Sequence, residues 1–199
     1  MSIVLKKKLL AASLGLLALG VAMANPQESY LAEARMITKK FSMALKKKFF
    51  TAIQDAQKAK SEETGAVSAI TTCHIKAPSV SQDISRSSGW SVGRTSLKLR
   101  NPKNQPDDWE AQVLRRFEER QQAGENPDKI EFSEVVTHGD KKEFRYMKAI
   151  PTITLCLNCH GTEIKPEIQA AFKQFYPQDH ATGFKVGDLR GAFTLCKAL

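Results

Sequence analysis

The spacing of apolar and polar positions divides the chain into stretches with different periods. Over residues 27–60, Leu31, Ala34, Met36, Ile37, Phe41, Leu45, Phe49, Ala52 and Ile53 recur at three- and four-residue steps, with no Gly or Pro after Pro26. That period predicts one long amphipathic helix. A second helix is expected over residues 62–75, broken before Pro78, followed by a Ser- and Gly-rich loop over 79–93 that carries Trp90. Residues 94–100 alternate in steps of two and read as a strand, ended by Asn101-Pro102. Asp107-Asp108 offers an N-cap for a helix through Gln122, closed by Gly124. Residues 130–136 and 143–150 flank Thr137-His138-Gly139-Asp140, the pattern of a β-hairpin with a polar turn. A helix over 166–176 and a last strand over 187–196 complete the series. Helices first, then strands interleaved with helices, is the order of an α+β domain with a small antiparallel sheet.

Composition narrows this picture. With 199 residues, 42% hydrophobic and 26% charged, the chain is an ordinary globular protein, neither disordered nor fibrous. Its net charge of +9 raises a nucleic-acid partner, but the charge has to be located first. Lys6-Lys7-Lys8 heads an apolar run over 9–23, and Ala22-Met23-Ala24 then supplies a small-x-small cleavage pattern. This is a secretory signal peptide over residues 1–24, leaving a single domain over 25–199. The run falls short of the ~20 apolar residues that span a bilayer. Without the three lysines the net charge drops to +6, and the runs Lys39-Lys40 and Lys46-Lys47-Lys48 read as a solvated helix face. The mature protein is therefore expected to be soluble and periplasmic, with no nucleic-acid partner and no stable membrane anchor after cleavage.

Four cysteines carry the chemistry: Cys73, Cys156, Cys159 and Cys196. Cys156-Leu157-Asn158-Cys159-His160 is C-x-x-C-H, the attachment sequence of c-type haem. Two thiols at this spacing form thioethers with the two vinyl groups of one porphyrin edge. The adjacent imidazole, His160, then becomes the proximal iron ligand. A zinc site would require a second ligand pair, and no second C-x-x-C exists. The expected cofactor is thus one covalently bound haem c. For the distal position the nitrogen and sulfur candidates are Cys73, Cys196, His74, His138, His180, Met36, Met43 and Met147. His138 and His180 sit in polar turns, and Met36 and Met43 lie seven apart on the apolar stripe of the first helix, a core pattern. Residue type alone ranks His74 over Cys73.

Several consecutive motifs resemble those of one family: Ala69 to Pro78 with its Cys73-His74-Ile75-Lys76-Ala77-Pro78, Gly93 to Pro102, Pro106 to Glu110, Leu155 to Gly161 and Gly183 to Phe193. The chain resembles the exported single-haem c-type proteins with a cyanobacterial type member, a domain of unknown function. That resemblance implies a PAS-like antiparallel sheet with flanking helices and a long N-terminal helical extension. It also implies Cys/His ligation, with Cys73 as the distal thiolate opposite His160, and so places Cys73 ahead of His74. Cys196 gains no role from it. The expected function is a redox or small-ligand sensor module, acting through an unidentified periplasmic redox or signalling protein. The alternative is an electron-transfer cytochrome serving a redox enzyme. An enzyme is not expected, because two axial ligands leave no open iron position.

Overall fold

The computed structural model describes residues 25–58 and 65–199; the expected signal peptide lies outside them. The first helix, α1, spans Pro26–Lys58. It buries Ala34, Ile37, Phe41 and Ala52, whereas Met36 and Met43, expected among the core positions, are 65% and 61% exposed. Each lies about 100° around the helix from a neighbour, Met36 from buried Ile37 and Met43 from partly buried Ala44, enough to leave the inward stripe.

Helix α2 spans Gly65–Ser88 and runs straight through Pro78, so neither the break before Pro78 nor the loop after it is present. Pro78 has no N–H for the His74 carbonyl four residues back, but tertiary packing carries the helix on. Ala77, Val80 and Ile84 are buried. The serines expected to form a loop have a different task. Ser81 donates its hydroxyl to the Val92 carbonyl, and the Val92 N–H donates to Ser85 at 3.0 Å. Val92 belongs to strand β1, Ser91–Thr95, an edge strand, so two helix hydroxyls satisfy the edge that would otherwise be left open. Trp90, just before it, is 2% exposed and packs edge-on against Phe144 at 6.0 Å in the core.

Strand β1 ends earlier than the period-two pattern implies. Ser96 donates to the Arg190 carbonyl at 2.8 Å and accepts from Lys98 N–H at 3.2 Å, which turns residues 96–98 out of the ladder. Helix α3, Asp108–Gln122, starts with the expected cap: Asp107 accepts from Glu110 N–H while the Glu110 carboxylate accepts from Asp107 N–H, a full capping box. The hairpin is β2, Glu131–His138, and β3, Lys141–Pro151, with a tighter turn than expected at Gly139-Asp140. After β3 come the one-turn helix α4, Leu157–His160, helix α5, Pro166–Phe175, and strand β4, Leu189–Ala198.

The sheet order is β1-β4-β3-β2, antiparallel throughout. Alternation along the strands sends Phe144, Tyr146, Val92 and Leu195 toward α1 and α2. Met147, Ala149 and Ala192 point the other way, under Val113, Leu114 and Phe117 of α3. A third cluster joins α2 to α5 through Ile70, Ile168, Ala171, Phe172 and Tyr176. This is an α+β fold with a PAS-like antiparallel sheet, flanking helices and a long N-terminal helix. Among the described residues no helix is long and apolar enough to cross a membrane.

One position in the sheet admits only glycine. Gly191, at the start of β4, has φ +151°, and a Cβ there would stand 2.3 Å from the Thr95 carbonyl oxygen. Gly191→Ala is expected to cost about 2 kcal/mol or more through backbone strain and this clash. The measurement is the midpoint of chemical denaturation; an unmoved midpoint would show that β1 and β4 can separate there freely.

Candidate functional site

A short 3-10 turn over Thr154–Cys156 feeds directly into α4, so Cys156 and Cys159 sit one helical turn apart on adjacent coils of backbone. Both thiols are half-buried. Gly161 closes the turn: a Cβ at this position would stand 2.7 Å from the Leu157 carbonyl oxygen, so a side chain would push the motif open. The segment is then stitched to the loop before β4. Gly183 N–H donates to the Gly161 carbonyl at 3.0 Å and Phe184 N–H to the His160 carbonyl at 2.9 Å.

The His160 ring is oriented by Ala181, whose carbonyl oxygen lies 2.7 Å from Nδ1. A carbonyl can only accept, so Nδ1 carries the proton and the lone pair sits on Nε2. That is the tautomer a metal-binding imidazole needs, held by the kind of backbone contact that orients such ligands. Burial, with help from Arg190, Arg100 and Arg94, holds the imidazole pKa down at about 2. His160 is therefore neutral at any ordinary pH, the form that can donate to a metal. Phe184 closes one side edge-on at 6.1 Å.

Two arginines frame this histidine. Arg100 binds Asp179 at 3.0 Å, the Cys159 carbonyl at 2.6 Å and the Ala181 carbonyl at 3.2 Å, and its guanidinium lies 3.6 Å over the Phe172 ring. It thus locks the C-x-x-C backbone, the loop that orients His160, and α5 into one unit. Arg190 places Nε 3.2 and 3.3 Å from the two His160 nitrogens. Burial and the neighbouring Arg100 and Arg94 pull its pKa down to about 10. Neither arginine had been singled out from the sequence, although both lie inside the motifs Gly93 to Pro102 and Gly183 to Phe193. Nothing in spacing alone marks a guanidinium as inward-facing.

The apolar wall beside Cys159 is the cluster of Ile70, Ile168, Ala171, Phe172 and Tyr176. This donor set fits a haem: two half-buried thiols one helical turn apart, an adjacent neutral imidazole protonated on Nδ1, and an apolar wall. A cleft of about 500 Å³ opens between Phe172 and Tyr176 on one side and Gly161 and Gly183 on the other. Neither thiol nor the His160 ring lines it, so the cleft flanks the site.

The candidates for the opposite position lie in different parts of the fold. Cys73 stands on α2, one turn beyond Ile70 of that wall; its side chain lies outside the described residues. His74 is next to it, exposed, with its ring 5.3 Å from Phe175 and 5.0 Å from Tyr176. Met147 is fully buried under α3 on the far face of the sheet. His138 lies exposed at the β2–β3 turn, 4.0 Å from Glu143, and Met36 and Met43 face outward on α1. His180 is exposed and its N–H donates to the Leu99 carbonyl at 2.7 Å. Cys196 donates to Glu143 at 2.8 Å, and burial followed by that carboxylate pushes its thiol up to about 12. Among these, Cys73 and His74 share the helix that packs on the Cys159 wall.

A family model described as Tll0287-like matches residues 23–196. The chain is also similar to the crystal structure of the cyanobacterial heme-protein Tll0287, at 26% identity and a TM-score of 0.60, over 86% of this chain and 95% of that one. A comparison with curated proteins matches none.

Proposed function

Since the chain belongs to the Tll0287-like family, we propose that it is a haem-binding protein that carries haem c covalently on Cys156 and Cys159, with His160 and Cys73 as the two axial ligands. The observation that carries this reading is the Nδ1–H bond of His160 to the Ala181 carbonyl, which leaves Nε2 as the donor atom of the residue that follows Cys159. The description of the similar solved structure as a heme-protein supports the same reading. Haem supplies an iron whose charge changes by one when it takes up an electron. The chain supplies everything else: thiols that fix the porphyrin edge, a neutral imidazole, a wall that excludes water, and arginines that hold the loop.

We further propose a periplasmic redox or small-ligand sensor working through a separate redox or signalling protein, with no catalytic step of its own. The supporting observation is what α2 holds. The helix that bears Cys73 also clamps the Val92 amide and carbonyl through Ser85 and Ser81. A change in how Cys73 is held therefore acts on the edge of the sheet, the two-state element that a sensor requires. An electron carrier would instead keep both ligands in both oxidation states.

Two measurements test this. The intact mass of the exported protein should equal the chain from Asn25 plus one haem, and Cys156→Ala/Cys159→Ala should lose the covalent group. Haem that leaves the wild type in acid-acetone would overturn covalent attachment. Optical spectra of the reduced protein with and without carbon monoxide should differ; identical spectra would favour the electron carrier.

A further inference from the structure

We infer that Arg190 is the carboxylate anchor of the site: its guanidinium takes a haem propionate as counter-ion. The inference rests on the haem-binding reading above and goes beyond it to a contact between this chain and the haem periphery. Arg190 is the second residue of β4 and points its side chain at His160. Its Nη1 donates to the Ser96 hydroxyl at 3.1 Å and to the Lys98 carbonyl at 3.2 Å, and its guanidinium carbon stands 5.4 Å over the Phe184 ring. Every one of these partners is neutral.

Four other arginines have carboxylate partners. Arg100 has Asp179, Arg145 has Asp107 and Glu110, Arg120 has Glu125, and Arg35 has Glu131. Among the described residues no carboxylate lies within ion-pair distance of Arg190, the guanidinium that touches His160. Arg94 and Arg100 nearby add to the same positive sign, and Asp179, which also attracts Arg190, is already bonded to Arg100, so the inward charge of Arg190 is costly. An anion is the missing part. A planar guanidinium fork matches a carboxylate bidentately, so carboxylate is the class of anion it selects.

Haem brings two carboxylates. Arg190 Nε stands 3.2 and 3.3 Å from the two ring nitrogens of His160, over the ring face, so a haem held by His160 would bring its carboxylates into the neighbourhood of this guanidinium.

The test uses haem-loaded full-length protein and reads the haem propionate bending band in resonance Raman spectra. Arg190→Gln should shift that band while the covalent haem stays in place, and Arg190→Lys should shift it less. A loss of Ser96 and Lys98 contacts alone would change stability but not this band. An unmoved band in haem-loaded Arg190→Gln overturns the inference. Should that variant not accumulate, the wild type decides. In the reduced protein under carbon monoxide, six-coordinate and diamagnetic, nuclear Overhauser contacts between Arg190 Nε–H and the propionate methylenes are expected, and assigned resonances without such contacts overturn the inference equally. A wild-type chain without haem would instead remove the haem reading, and this one with it.

Discussion

Replacing Arg100 by methionine lowers stability by about 3–5 kcal/mol, the range found when one member of a buried ion pair is removed and the other left behind. The side chains of Arg100 and Asp179 are only 11% and 10% exposed, so water cannot take over the carboxylate. Two carbonyls, those of Cys159 and Ala181, lose a donor in the same step. Methionine keeps most of the contact with Phe172, so the loss reports polar contacts more than packing. Arg100→Met/Asp179→Asn should recover part of the loss because no unpaired charge remains. The measurement is the urea midpoint of each variant. If the single variant loses under about 1 kcal/mol, the pair is behaving as a surface contact and the loop is held by something else.

The second large effect concerns Cys73. If it is the thiolate ligand, Cys73→Ala abolishes the sulfur-to-iron charge-transfer bands of the oxidised protein. The reduction potential then rises by on the order of a tenth of a volt or more, within the ~0.8 V over which axial ligands set haem potentials. The direction follows from charge: an anionic donor stabilises the ferric iron more than the ferrous one. Cys196→Ala is the matched control, because that thiol is held by Glu143 and kept protonated, and its spectrum should not change. An unaltered Cys73→Ala spectrum beside an altered His74→Ala spectrum would transfer the role to His74.

The parts legible in the sequence are those whose signal is local. The N-cap at Asp107, the hairpin, α5 and β4 all rest on near-neighbour chemistry and lie within a few residues of their expected places. The C-x-x-C-H spacing and the mixed α+β class were legible for the same reason. The segment from Pro78 to Ser96 was not. Its proline and serines are breakers on their own, but Ser81 and Ser85 are used by Val92, a strand residue whose place is fixed by Leu195 more than a hundred residues later. Met36 and Met43 failed differently: a long helix packed on one side has more apolar residues than its inward face can hold. Arg100 and Arg190 were visible as letters within motifs, yet their roles exist only once residues 179–190 fold back onto residues 96–100.

The position of β4 has a consequence for how the protein is made. The sheet order β1-β4-β3-β2 puts the last strand to be synthesised in the interior, between two strands made earlier. Until β4 arrives, β1 has no strand neighbour and β3 has one side open, and Arg190 is not yet beside His160. Such late, long-range pairing closes slowly. During that interval the two thiols already exist on an emerging chain whose surroundings have not set. If haem c is attached as proposed above, the Cys156–Cys159 segment is most open to it before β4 arrives, because that strand brings Arg190 onto His160.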